Sequence, residues 1–163
     1  MLHGKETVVH SFGYGTDGAD PVASLIEVNG TFYGTTAFGG VSNCDVYGKC
    51  GTVFSITPSG NESVLHRFGG AQDGGAPVAP LIEVNGTLYG TTAYGGAYSC
   101  SGGGCGTIFS VTPSGAEQVL HSFRGGTDGI SPDAGLIEVD GTLYGTTFAG
   151  GAQDVGTVFE ITP

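Results

Sequence analysis

Apolar and polar side chains alternate along this chain with a period of two, in short runs broken by glycine-containing turns. In "TLYGTT", Thr87 to Thr92, Tyr89 and Thr91 fall on one side while Leu88, Gly90 and Thr92 fall on the other. No stretch sustains a 3.6-residue period, so essentially no helix is expected. Several strands carry apolar or small residues on both faces, and a sheet made of such strands has to lie between neighbours. Gly90 is then expected to let an adjacent sheet approach closely.

The pattern repeats. "LIEV" begins at Leu25, Leu81 and Leu136, and "YGTT" at Tyr33, Tyr89 and Tyr144, each with spacings of 56 and 55 residues. "GTVF", "GTIF" and "GTVF" begin at Gly51, Gly106 and Gly156, while "VVHSF", "VLHRF" and "VLHSF" carry His10, His66 and His121. The middle copy runs "APLIEV", an Asn-Gly hairpin signal, "TLYGTTA", a loop, "GTIFSVT", a "PSG" turn and "EQVLHSF". Repeated four-stranded sheets of about 50 residues are propeller blades.

The predicted fold is therefore all-β, with three four-stranded antiparallel blades. A closing strand spans 5–12, blades span 21–68 and 77–123, and three strands of the last blade span 132–163. That blade lacks its outer strand, whereas "ETVVHSF" at the N-terminus is surplus. Two chains placed head to tail would make six blades, with Val8, Val9, His10 and Phe12 of one chain pairing with Val158, Phe159 and Ile161 of the other. A closed homodimer is expected. A filament, a strained three-bladed monomer and a piece of a longer repeat protein are the alternatives.

The phrases "DGTLYGTT", "GTVFEITP" and "VLHSF" resemble the GloVer tandem repeat of bacterial extracellular and surface-anchored proteins, and are similar to NHL-type blades. The resemblance covers nearly the whole chain. It implies a β-propeller-like fold and an exported protein, and no particular activity, because that family is defined by its repeat.

Charge narrows the partners. The 163 residues include 33 Gly and no Trp, with 4 Lys and Arg against 15 Asp and Glu, a net charge of -11. Such a surface repels phosphate backbones and anionic lipid, so neither nucleic acid nor membrane is an expected partner. No apolar run is long enough to span a bilayer. "MLHGKETVV" has neither the charged start nor the apolar stretch of a signal peptide.

The cysteines fall as two pairs in equivalent loops, Cys44 with Cys50 and Cys100 with Cys105, and the third copy lacks both loop and pair. Pairs lost together point to local disulfides and an oxidising compartment. A four-cysteine zinc site is the rival, without the usual knuckle spacing. His10, His66 and His121 recur on rim strands without a visible partner constellation and read as structural. Glu27, Glu83 and Glu138 recur on the innermost strand. They form either a ring of axial carboxylates able to bind a cation or backbone hydrogen-bond acceptors.

One loop face gathers Tyr14, Asp17, Asp20, Phe38, Asp45, Tyr47, Asp73, Tyr94, Tyr98, Asp128, Asp133 and Asp154. Acidic groups beside aromatic rings suit a sugar or a cation such as Ca2+. The sequons at Asn29, Asn61 and Asn85 include two Asn-Gly turns that need no glycan to explain them. No nucleophile elbow, zinc-protease, phosphate-loop or dinucleotide motif occurs. The expected function is a non-catalytic extracellular assembly module without a cofactor. A carbohydrate-binding propeller is the alternative, and a glycosidase built on paired carboxylates comes third.

Overall fold

A computed structural model describes residues 4–13, 15–40, 50–69, 72–100 and 103–163. The first sheet joins, in chain order, β1 (Ile26–Val28), β2 (Thr31–Thr36), β3 (Thr52–Ile56) and β4 (Glu62–Arg67). The second joins β5 (Ile82–Val84), β6 (Thr87–Thr92), β7 (Thr107–Val111) and β8 (Glu117–Ser122). The third holds β9 (Ile137–Val139), β10 (Thr142–Thr147) and β11 (Thr157–Ile161). All pairings are antiparallel. The rest is turn and loop, apart from a 3-10 turn at Gly126–Asp128.

Each sheet opens with the hairpin that the sequence announces. Asn85 and Gly86 both take positive φ, 51° and 83°, which matches the right-handed twist of the flanking strands. Asn29-Gly30 and Asp140-Gly141 do the same.

Gly90 has a different role from the one expected. A Cβ there would stand 2.6 Å from Cζ of Phe109, its cross-strand partner, and 2.9 Å from Leu81. The glycine therefore makes room for a ring of its own sheet rather than for a neighbouring sheet. Gly34 with Phe54 and Gly145 with Phe159 repeat the arrangement.

Successive sheets pack on each other. Tyr33, Val53 and Phe68 of the first share a core with Leu81, Leu88, Phe109 and Val111 of the second. Ile108 and Phe123 of the second share another with Leu136 and Leu143 of the third. Phe68 meets Phe109 edge-on with ring centroids 5.0 Å apart, and Phe123 meets Phe159 at 5.2 Å. The innermost strands β5 and β9 also approach each other. The molecule is thus three antiparallel sheets of four, four and three strands, and no sheet closes on itself.

The N-terminal segment departs from the expected paired strand. Residues 4–13 form no ladder with any described strand. The segment is nevertheless docked: Phe12 meets Phe54 edge-on at 5.0 Å. The Val9 carbonyl lies against Gly60 as the Leu65 carbonyl lies against Gly115. Against the first sheet it takes the place that β4 takes against the second. A strand beside it is what is lacking.

Gly90→Ala should destabilise the chain by roughly 1–3 kcal/mol through overpacking against Phe109, read as a lower denaturant midpoint. An unchanged midpoint would remove this account of the repeated glycine.

Candidate functional site

The residues with most chemistry gather where one sheet meets the next. On the outer strand, His66 stands two residues before Phe68, so both side chains share a face, with ring centroids 4.7 Å apart. The chain then turns at Asp73-Gly74. The Asp73 carboxylate accepts the Gly69 N–H at 2.7 Å, an Asx-type closure that holds it beneath the imidazole. His66 Nε2 lies 3.2 and 3.3 Å from the two Asp73 oxygens. Gly74 sits at φ 99°, and a Cβ there would come within 2.5 Å of the Thr92 hydroxyl. That hydroxyl bonds Thr107 Oγ1 at 2.8 Å and the Tyr94 carbonyl at 2.9 Å. The recurrent "DG" and "YGTT" phrases are thus two halves of one contact.

The arrangement is repeated. His10 faces Asp17 at 3.4 Å and His121 faces Asp128 at 3.1 Å. Backbone N–H groups of Gly13 and Arg124 donate to those aspartates as Gly69 does to Asp73.

A third group completes the middle copy. Glu117, the first residue of β8, brings a carboxylate oxygen to His66 and Asp73, and the three ligand atoms lie within 4.8 Å of one another. One nitrogen and two carboxylate oxygens suit Zn2+ or Mn2+ better than Ca2+. It is the one such group among the described residues. Oε1 of Glu117 is buried with no hydrogen-bond donor, and so is Oε1 of Glu62, the equivalent residue beside His10 and Asp17.

The electrostatics follow from that crowding. Burial, and then the neighbouring Asp73 charge, raise the Glu117 carboxyl above the ordinary value. Burial and Asp17 raise Glu62, against weaker opposing pulls from His10 and Arg67. Burial alone would also push Asp73 up. Hydrogen bonds from His66 and the Gly69 N–H, with the charge of His66, outweigh it and leave Asp73 below the ordinary value. The two carboxyls of one site are thus driven in opposite directions.

Other expected site residues are dispersed. Glu27, Glu83 and Glu138 are not brought together; each accepts the N–H of its own hairpin glycine, Gly30, Gly86 or Gly141. Their side chains close turns instead of lining an axis. Asp17, Asp73 and Asp128 are engaged by histidines rather than presented as an open acidic face. Asp20 and Asp133 are exposed, and exposed Asp154 accepts the Gly150 N–H. Phe38 and Tyr94 are half-buried beside backbone bridges to Ala19 and Gly75. Tyr98 is exposed, with the Arg124 guanidinium 5.2 Å from its ring centroid. Cys100 and Cys105 form a disulfide, and Cys50 is disulfide-bonded as well. Tyr14, Cys44, Asp45 and Tyr47 lie outside the described residues.

The histidines therefore do have a constellation, which the sequence reading missed. Two signals were available. An aspartate follows each histidine by seven residues, and a glutamate recurs on each such strand at Glu6, Glu62 and Glu117. Glu117 nevertheless meets the histidine of the preceding unit and not His121 of its own.

Glu117→Gln should raise the melting temperature at pH 7 to 8, because the amide gives Asp73 a donor that the ionised carboxylate lacks, and removes a charge. The raised carboxyl makes ionised Glu117 unfavourable above its folded pKa, and that handicap fades as pH falls through it. The gain should therefore vanish near about pH 4. A lower melting temperature at pH 7 would contradict the assignment.

No curated protein matches this sequence. The profile of the Gloeobacter/Verrucomicrobia repeat matches residues 2–163. With three copies of one unit in sequence and three matching sheets in space, this chain belongs to the Gloeobacter/Verrucomicrobia repeat family.

Proposed function

We propose that this chain is a non-catalytic, exported interaction module whose propeller-like units associate head to tail with a second copy. Residues 6–12 of one chain would pair with β11 of the other, giving six blades in a closed dimer or a continuing filament. The observation that supports this is the mismatch in burial between equivalent positions. Val53 and Ile108 are buried beneath the following sheet, at 0% and 1% exposure, whereas Val158 at the same position is 79% exposed. Thr35 and Thr91 donate to the Ala79 and Ala134 carbonyls of the following unit, whereas Thr146 is exposed.

The first sheet shows the converse. Leu81 and Leu136 are covered by the preceding sheet, at 4% and 7%, while Leu25 is 51% exposed. A groove of about 350 Å³ opens there, lined by Val8, Phe12, Leu25, Phe32, Phe54 and Ile56 among others. One open face is of the kind that covers, and the other of the kind that is covered.

Two inner seams show how such faces fit, and main-chain pairing along an open sheet edge would add to apolar burial. Disulfides suit an oxidising compartment, and no helix among the described residues is long and apolar enough to cross a membrane. For the carbohydrate alternative, the described residues offer mainly Tyr98.

Light scattering on the whole chain should give a mass near twice 16.3 kDa. Val158→Asp should return the single-chain mass without lowering thermal stability at a dilution where chains are separate. A wild-type mass of one chain at every concentration would defeat the proposal.

A further inference from the structure

The His–Asp–Glu sites are built across units. Histidine and aspartate come from one unit, and the glutamate comes from the outer strand of the next: Glu117 brings a carboxylate oxygen to His66 and Asp73, and Glu62 lies in the field of His10 and Asp17. His121 and Asp128 have no such glutamate among the described residues. In their place is an open cleft of about 150 Å³ lined by His121, Asp128, Phe159, Glu160 and Ile161, among others.

We propose that Glu6 of a second copy fills this cleft, closing in trans the three-group site that Glu117 closes in cis. This rests on the head-to-tail reading and adds its register. In the complete sheets Val53 pairs with His66, Phe54 with Val64, Ser55 with Ser63 and Ile56 with Glu62, with a bulge at Leu65. The second sheet repeats this, from Ile108 with His121 to Val111 with Glu117. Carried over by repeat position, Val158 pairs with His10 of the arriving chain, Phe159 with Val8, Glu160 with Thr7 and Ile161 with Glu6. The first residue of the arriving strand is then the glutamate, set beside His121 and Asp128.

Glu6 is exposed before assembly. Paired with Ile161, it would share the face on which Phe159 meets Phe123, beside His121 and Asp128, while Glu160 lies on the opposite face of the strand.

The test is cross-linking between whole chains carrying Glu6→Cys and whole chains carrying Asp128→Cys, mixed under mild oxidation. A covalent dimer joining the two variants is expected, and neither variant alone should give it. His121→Cys in place of Asp128→Cys gives a second arm in case the turn does not tolerate the first change. Because Glu6 is exposed in a single copy, Glu6→Cys should leave the melting temperature of separated chains unchanged. If wild type assembles by sedimentation equilibrium while neither pair cross-links, the trans site is wrong and head-to-tail association stands. If wild type stays a single chain throughout, both fall.

Discussion

The edge-on contact between two phenylalanines fixes how each unit of this chain meets the next. Phe68 on Phe109 and Phe123 on Phe159 join an outer strand to the third strand of the following sheet. Each ring then settles the residues around it. The ring of Phe109 forces a glycine opposite it on β6. The ring of Phe68 carries His66 on its face, and His66 requires Asp73. Aromatic pairs of this geometry add about 0.5–1.5 kcal/mol beyond the area they bury, and here each also sets the stagger between sheets.

That stagger explains what could and could not be read from the sequence. Asn-Gly hairpins, Pro-Ser-Gly turns and period-two alternation are local, so three antiparallel sheets and their strand order were legible. Gly90 was recognised as a space-making residue, but its occupant was assigned to the wrong sheet. The partner strand's register places Phe109 directly opposite, and that register is invisible in a single strand. The histidines were judged partnerless because their aspartates looked like ordinary turn residues. Their glutamates come from another unit, at a separation that only the packing of successive sheets reveals. For Glu27, Glu83 and Glu138 two roles were open, axial carboxylates or backbone acceptors, and the second holds within each hairpin, where every one of them bonds three residues away.

The two ends of the chain carry the consequences. A unit that stacks on its neighbours exposes one face when it comes first and the other when it comes last, and repeat proteins cover such faces with caps or further units. Neither cover is present among the described residues. The third unit also departs from its siblings at the open seam. Phe148 stands where Ala37 and Ala93 are buried, and Glu160 stands where the others have Ser55 and Ser110. Glu160 bonds the Tyr144 hydroxyl and raises its pKa. These substitutions add bulk and charge to the open face of the third sheet, which therefore differs from the covered faces of the first two.

Amide hydrogen exchange along β11, read against protein concentration, tests the account most directly. Amides of Thr157–Ile161 that point away from β10 should exchange slowly when chains are concentrated and quickly when they are dilute, in step with protection of residues 6–12. Fast exchange at those amides at every concentration, with the N-terminal segment equally unprotected, would contradict it.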